Sequence, residues 1–379
     1  MKRKMISAIL CTVMASALLL GCGDNGNGAV ETTTETETEE GLDDTLSDLA
    51  GKRVAVVRNL AAGDHTQQFL AGTVEEGERF GFTVDTFVTD GDDDRTKSTV
   101  AQVISQDYDA IIVSHAQLSY AYDMLAPARE AGMAVVTFDS MPHRDGDPDG
   151  ELLEGVTSTA QDDYALAELS LGHMIDEHLE NGGELPVRVM KTFMGPGIPP
   201  LDRRDVVYRR LEEEGYIETI MTISPADFAN VRGDVTNMVA ALLPTIGSDD
   251  VDAVWGCYDE MAKGVLQAFL DAGRTDIPIY YIDISNDNIQ LMVQHPEIFR
   301  SSAAVDPRLI GIVNMRLVAL KLAGYDTPDF FTLAANNILV EDLNEDITMI
   351  DLYDIIPGWG DPYDPESALY NEQIRGLHQ

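Results

Sequence analysis

Cys22 has the clearest chemistry in this chain of 379 residues. It follows Leu19-Leu20-Gly21, behind a positive start of Lys2, Arg3 and Lys4 and an apolar stretch from Met5 to Leu20. That pattern resembles a lipobox, in which a small residue precedes the cut and the thiol carries diacylglycerol. Residues 1–21 therefore read as a lipoprotein signal peptide and Cys22 as the lipidated residue. The apolar run is shorter than the ~20 residues a spanning helix needs. Asp145-Gly146-Asp147-Pro148-Asp149-Gly150 opens like a calcium loop, with Asp145, Asp147 and Asp149 as candidate ligands. Its twelfth position is Val156 rather than a bidentate Glu, and Pro148 stiffens the turn, so a solvated acidic loop is expected. His173 and His178 lie five apart on one helix, which does not put both rings on one face. Cys257 lacks an evident His partner and reads as buried core. With no phosphate loop, nucleophile elbow or paired-Cys motif, no cofactor is expected.

Composition bounds what those residues can serve. The chain is 44% hydrophobic, enough for two lobes. Loss of the signal removes three bases and no acid, moving the net charge from −41 to −44. Phosphate would be repelled by such a surface, which excludes nucleic acid as a partner. Cys11 leaves with the signal and Cys22 is acylated, so Cys257 stands alone and no disulfide forms within the mature chain. Residues 22–50 read as a tether: Gly23 to Gly28 is small and polar, and Glu31 to Glu40 mixes Thr with Glu.

From Lys52 short apolar runs alternate with amphipathic stretches, the spacing of βα units. Strands are expected at Val54–Val57, Thr83–Val88, Ala110–Val113 and Ala134–Phe138, with helices between them from Thr66, Arg95 and Tyr120. A second series from Asp162 adds strands at Val187–Phe193, Glu218–Ile223, Ala253–Trp255 and Ile279–Ile282, with a late helix at Leu309–Leu322. The fold class is α/β, two doubly wound parallel-sheet lobes. Ligands bind such sheets beyond the carboxyl ends of the strands. Those ends hold Arg58-Asn59, Ser114-His115, Asp139-Ser140, Tyr258-Asp259 and Asp283.

From Lys52 to Glu341 the chain resembles the periplasmic binding protein type 1 family, in its ribose-like sugar-binding branch. Three motifs carry the resemblance: Val135-Val136-Thr137-Phe138-Asp139, Pro225-Ala226-Asp227-Phe228, and Tyr258-Asp259-Glu260-Met261-Ala262 followed by Gly264. Regulators that share this core begin with a DNA-binding helix-turn-helix, where this chain has a lipobox and an acidic spacer. The resemblance implies a three-segment hinge between an N-terminal lobe (51–160 with 306–330) and a C-terminal lobe (161–305 with 331–351). A C-terminal extension, 352–379, follows. It is rich in turn formers, with Trp359 as an apolar pin.

The resemblance also implies a ligand closed between the lobes. Asp139 matches a carboxylate that accepts bonds from vicinal hydroxyls, having two acceptor oxygens and no donor. Arg204 matches a guanidinium reaching from the second lobe, Asp283 a second carboxylate, and Phe228 an aromatic wall for a sugar ring. Tyr258 and Asp259 complete the second-lobe set. Several positions depart from the ribose pattern. Ser114 and Tyr258 stand for Asn, Ser140 for Arg and Val305 for Gln, while the first loop reads Ala62-Gly63-Asp64-His65-Thr66. Unmatched hydroxyls in a closed cleft are costly, so a deoxy, methylated or furanone-like ligand is expected unless Asn59, His65 or Thr66 restores the bonds. Expected partners are a small sugar-like ligand, ABC permease subunits and a membrane reached through the lipid, with the protein a monomer. The alternatives are a sensory receptor for a sugar or autoinducer-2-like signal, and a surface glycosidase using Asp139 and Asp283 as its carboxylate pair.

Overall fold

The computed structural model describes residues 49–378 except 61–62, 197, 228–229 and 248, so Cys22, the tether and Phe228 lie outside the described residues. In the first lobe, β1 (Arg53–Arg58), α1 (Asp64–Arg79), β2 (Thr83–Val88), α2 (Asp93–Ile104), β3 (Ala110–Ser114), α3 (Leu118–Glu130), β4 (Ala134–Phe138) and β5 (Val156–Gln161) alternate along the chain. The chain then crosses to α4 (Asp163–Glu180), β6 (Val187–Thr192), α5 (Pro199–Glu213), β7 (Ile217–Ile223), α6 (Val231–Leu242), β8 (Ala253–Gly256), α7 (Asp259–Ala272), β9 (Ile279–Ile282), α8 (Asn286–Gln294) and β10 (Phe299–Ala304). It returns through α9 (Pro307–Leu322) to β11 (Phe330–Leu333) and crosses again to β12 (Asn336–Leu339).

Two six-stranded sheets result, ordered β11-β5-β4-β3-β1-β2 and β12-β10-β9-β8-β6-β7. All neighbours are parallel except β12, which runs antiparallel to β10. The chain thus passes between sheets three times, after β5, after β10 and after β11. First-sheet pairing continues through Gln161 and Leu333, a little past the expected 160 and 330.

Strands β5 and β10 carry no apolar signal in the sequence. They read Val-Thr-Ser-Thr-Ala-Gln and Phe-Arg-Ser-Ser-Ala-Ala, yet nearly every residue is buried. Burial is tolerable because most of their hydroxyls find partners: Thr159 Oγ1 donates to Thr137 O at 2.9 Å and Ser302 Oγ to Asp283 O at 2.7 Å.

Helix α9 is apolar almost all round, buried from Leu309 to Leu320, as a helix packed on several sides must be. Glycines let it touch α1. A methyl on Gly311 would lie 2.2 Å from Phe69 O, and one on Gly72 would lie 2.1 Å from Arg308 O.

The C-terminal extension packs on both lobes. Trp359, 1% exposed, sits among Ile284, Ala304, Ile338, Met349 and Leu352 of the second lobe and its flank. Further on, buried Arg316 of α9 donates to Pro362 O at 2.8 Å, Ala368 O at 2.6 Å and Glu76 Oε1 at 2.5 Å. Beyond α10 (Glu372–Leu377), His378 also bonds Glu76, at 2.9 Å. Burial raises the Glu76 carboxyl, but its bonds to His378 and Arg316 outweigh burial and hold it below the usual range.

Candidate ligand cleft

The carboxyl ends of the two sheets face each other across a cavity of about 570 Å³. Three strand-end residues aim into it from left-handed backbone: His115 (φ 63°), Asp139 (φ 48°) and Asp283 (φ 71°). Each turn is closed by a bond to the next strand, from His115 N to Phe138 O at 3.0 Å, from Asp139 N to Thr159 O at 2.9 Å and from Asp283 N to Ala303 O at 2.9 Å. Asp and His tolerate this region better than most residues, and such backbone gathers where side chains must be aimed.

Asp139 is the deepest of the three, its side chain 5% exposed. Oδ2 lies 4.0 Å from His115 Nε2 and Oδ1 lies 4.0 Å from Arg203 Nη2 across the cleft. Oδ1 is buried without a hydrogen-bond partner. Burial, and after it the nearby Asp163 charge, push this carboxyl up to about 7.

Arg204 is 2% exposed and heavily engaged. It donates to Asp163 Oδ1 at 2.8 Å, to Cys257 O at 2.7 Å, and to both oxygens of Asp283 at 3.1 and 3.3 Å. Burial lowers its affinity for a proton, but the Asp283 and Asp163 charges overcome that and hold it charged. Its fork therefore orients Asp283 as well as lining the cavity. Asp259 is paired with Lys263 at 2.9 Å, and burial, which Lys263 opposes, leaves its carboxyl raised to about 6. Burial keeps the Tyr258 hydroxyl neutral.

Of the residues expected at the site, Asp139, Arg204, Asp283, Tyr258, Asp259, His65 and Thr66 line the cavity. Ser114, Ser140 and Asn59 do not. Ser114 Oγ takes a bond from Arg58 at 2.8 Å, and Ser140 Oγ takes one from Ala116 N at 2.6 Å. Asn59 turns away to Asp93 at 2.9 Å and to Thr89. These three were expected to meet the ligand, but protein groups hold their polar atoms. Asp145, Asp147 and Asp149 form no metal-holding group among the described residues, and Asp147 Oδ1 caps the Asp149 N–H at 3.0 Å. The Cys257 thiol is buried and pushed up to about 12 by burial.

Sequence reading placed Arg58 and His115 at strand ends without giving them a role, and assigned none to Asp163, Arg203 or Lys263. Asp163 lies in the first turn of α4 and receives Arg203 at 2.7 Å and Arg204 at 2.8 Å. The one clue to Arg58 was a charge closing an otherwise apolar strand. Apolar contact comes from Met194, Ile198, Leu201 and Ile284.

A family model described as a periplasmic binding protein domain matches residues 54–326. The ribose import binding protein of Bacillus subtilis (strain 168) is 25% identical over 242 residues, 63% of this chain and 72% of that protein. A sugar ABC transporter structure from Yersinia enterocolitica subsp. enterocolitica 8081 is 36% identical with a TM-score of 0.73, covering 88% of this chain and 98% of that one. The solute-binding protein of a 5-methylthioribose transporter from Thermotoga lettingae TMO shares the fold at 24% identity and a TM-score of 0.70, covering 86% of this chain and 98% of that one.

Proposed function

This chain belongs to the periplasmic binding protein family, among the solute-binding proteins of sugar ABC transporters, and we propose that it captures a sparsely hydroxylated sugar-like ligand between its lobes. It then hands the ligand to an ABC importer from a lipid-tethered position outside the membrane. Members of the family are extracytoplasmic binding proteins rather than enzymes, so Asp139 and Asp283 serve recognition.

The observation that carries this reading is Asp139 Oδ1, a carboxylate oxygen buried at the cleft with no protein donor. A ligand hydroxyl satisfies it, and a charge-assisted bond in a desolvated site is strong. The sparse hydroxylation follows from Ser114 and Ser140 being consumed inside the lobe, and from the apolar side chains facing the cavity.

Calorimetry with D-ribose, 5-methylthioribose and a furanone signal tests it. D-ribose is expected to bind poorly, since each unmatched hydroxyl costs about 1–3 kcal/mol, and a less polar analogue to bind tightly. Asp139→Ala should abolish binding without lowering the melting temperature, whereas Asp145→Ala should change nothing. A submicromolar dissociation constant for D-ribose would overturn the selectivity, and full binding by Asp139→Ala would overturn the site.

A further inference from the structure

Arg58 ends β1 with a side chain that is 0% exposed, yet among the described residues no carboxylate lies within ion-pair distance of it. Its guanidinium stacks over the Phe69 ring at 4.3 Å and donates to three neutral groups. Nε reaches Thr66 Oγ1 at 3.2 Å, Nη1 reaches Ser114 Oγ at 2.8 Å, and Nη2 reaches His65 Nδ1 at 2.7 Å. An arginine used this way is costly unless its donors are needed.

Those donors fix where protons sit on two imidazoles. A guanidinium has no acceptor, so His65 Nδ1 must be the unprotonated nitrogen, and the neutral ring carries its hydrogen on Nε2. Ser114 Oγ already accepts from Arg58, leaving its own hydrogen to place. His115 Nδ1, 2.6 Å away, is the acceptor beside it. Donation of that hydrogen to Nδ1 would make His115 an Nε2–H tautomer as well, with that nitrogen 4.0 Å from Asp139 Oδ2. Both rings line the cavity.

We propose that Arg58 is a positioning residue that locks His65 and His115 as neutral Nε2–H donors, so that the first-lobe wall recognises ring-ether or carbonyl oxygens of the ligand beside Asp139. The recognition half rests on the reading of the cleft given above; the tautomers do not. Charged and titratable groups around the rings agree with neutrality. His65 faces Arg58 from β1, with Asp283 of the second lobe and Arg204 of α5 farther off, and His115 faces Arg58, His65 and Asp139. Burial first, and the Arg58 charge next, hold His65 down at about 3 and His115 well below the ordinary value. The wall thus keeps its two donors across the range in which a free imidazole would gain a proton.

Histidine-labelled protein without ligand decides the first half, by long-range proton–nitrogen correlation spectra from pH 5 to 8. The expected result is an Nε2–H tautomer at both rings and no titration. An Nδ1–H tautomer at either ring, or a midpoint near the ordinary value, overturns the lock. In Arg58→Met, checked for folding by its melting transition, mixed tautomers should appear and titration should move up. Arg58→Lys, a single-point donor, should release at least one ring. A folded Arg58→Met with unchanged tautomers and pH response refutes Arg58 as their cause, and the wild-type spectra remain decisive should that variant not fold. With 5-methylthioribose and D-ribose as calorimetric probes, Arg58→Met should weaken whichever binds by about tenfold or more. Undiminished binding with released tautomers sinks the recognition half. No binding of either probe by wild type counts against that half through the cleft reading, and leaves the tautomer result standing.

Discussion

Asp139 is expected to set the pH response of the proposed cleft. Its carboxyl is raised to about 7 because burial and the Asp163 charge disfavour its ionised form. A ligand hydroxyl that donates to the carboxylate favours the ionised form instead. Affinity should then be full above about pH 7 and fall as pH drops through it, by up to about tenfold per unit. Asp259, raised to about 6, acts in the same direction lower down. The sign for folding is opposite. A raised carboxyl stabilises the fold below its unfolded pKa of about 4, and that contribution is lost as pH rises towards 7. Calorimetry in buffers of different ionisation enthalpy measures the proton released on binding. Constant affinity from pH 5 to 8 with no proton release would remove Asp139 from the role given to it.

Among the elements, α1 and α9 show how backbone approach positions the first-lobe wall. Phe69 of α1 supports the Arg58 guanidinium and stacks on Phe138 at 5.8 Å, directly before Asp139. Gly311→Ala would put a methyl 2.2 Å from Phe69 O. Alanine ordinarily favours a helix over glycine by about 1 kcal/mol, but a clash with rigid backbone reverses that sign. The variant should lose about 1–3 kcal/mol in urea unfolding, the range seen for overpacked cores. A neutral or stabilising result would mean that the two helices separate freely. Of the elements missed in the sequence, β5 and β10 were missed for a physical reason. Most of their Ser and Thr side chains are buried by hydrogen bonding, which leaves no alternation of apolar and polar residues to read.

For the whole molecule, the proposed function turns on how the lobes meet and on the proposed lipid tether. The lobes meet at the cleft rim, where Asn286 N donates to Asp64 Oδ2 at 3.0 Å and Asn286 Oδ1 accepts from Met349 N at 2.9 Å. Trp359 of the extension packs with Met349, and the extension goes on to Arg316 of α9, so it touches both lobes. The net charge of −41 keeps the protein away from polyanions and leaves attachment to a membrane to the proposed lipid. Cys22→Ser should yield exported protein that is uncleaved or shed and carries no lipid label. Unchanged retention in the membrane fraction, with label still at this position, would refute the anchor.

Sequence alone determined the α/β class, the alternation of elements and the family, because strand and helix periodicities and the Asp139 and Tyr258-Asp259 motifs are local features. Asp139 and Asp283 were legible as strand-end residues, and the family resemblance implied that Arg204 meets them at one cleft. Tertiary structure decided which polar groups remain available. Ser114, Ser140 and Asn59 have the right types but are consumed by Arg58, Ala116 and Asp93. Arg58, by contrast, acquires a role only when His65, Thr66 and Ser114 converge on its guanidinium from three segments. A hydrogen-bond inventory is a property of neighbours in space, and one chain read in order does not contain it.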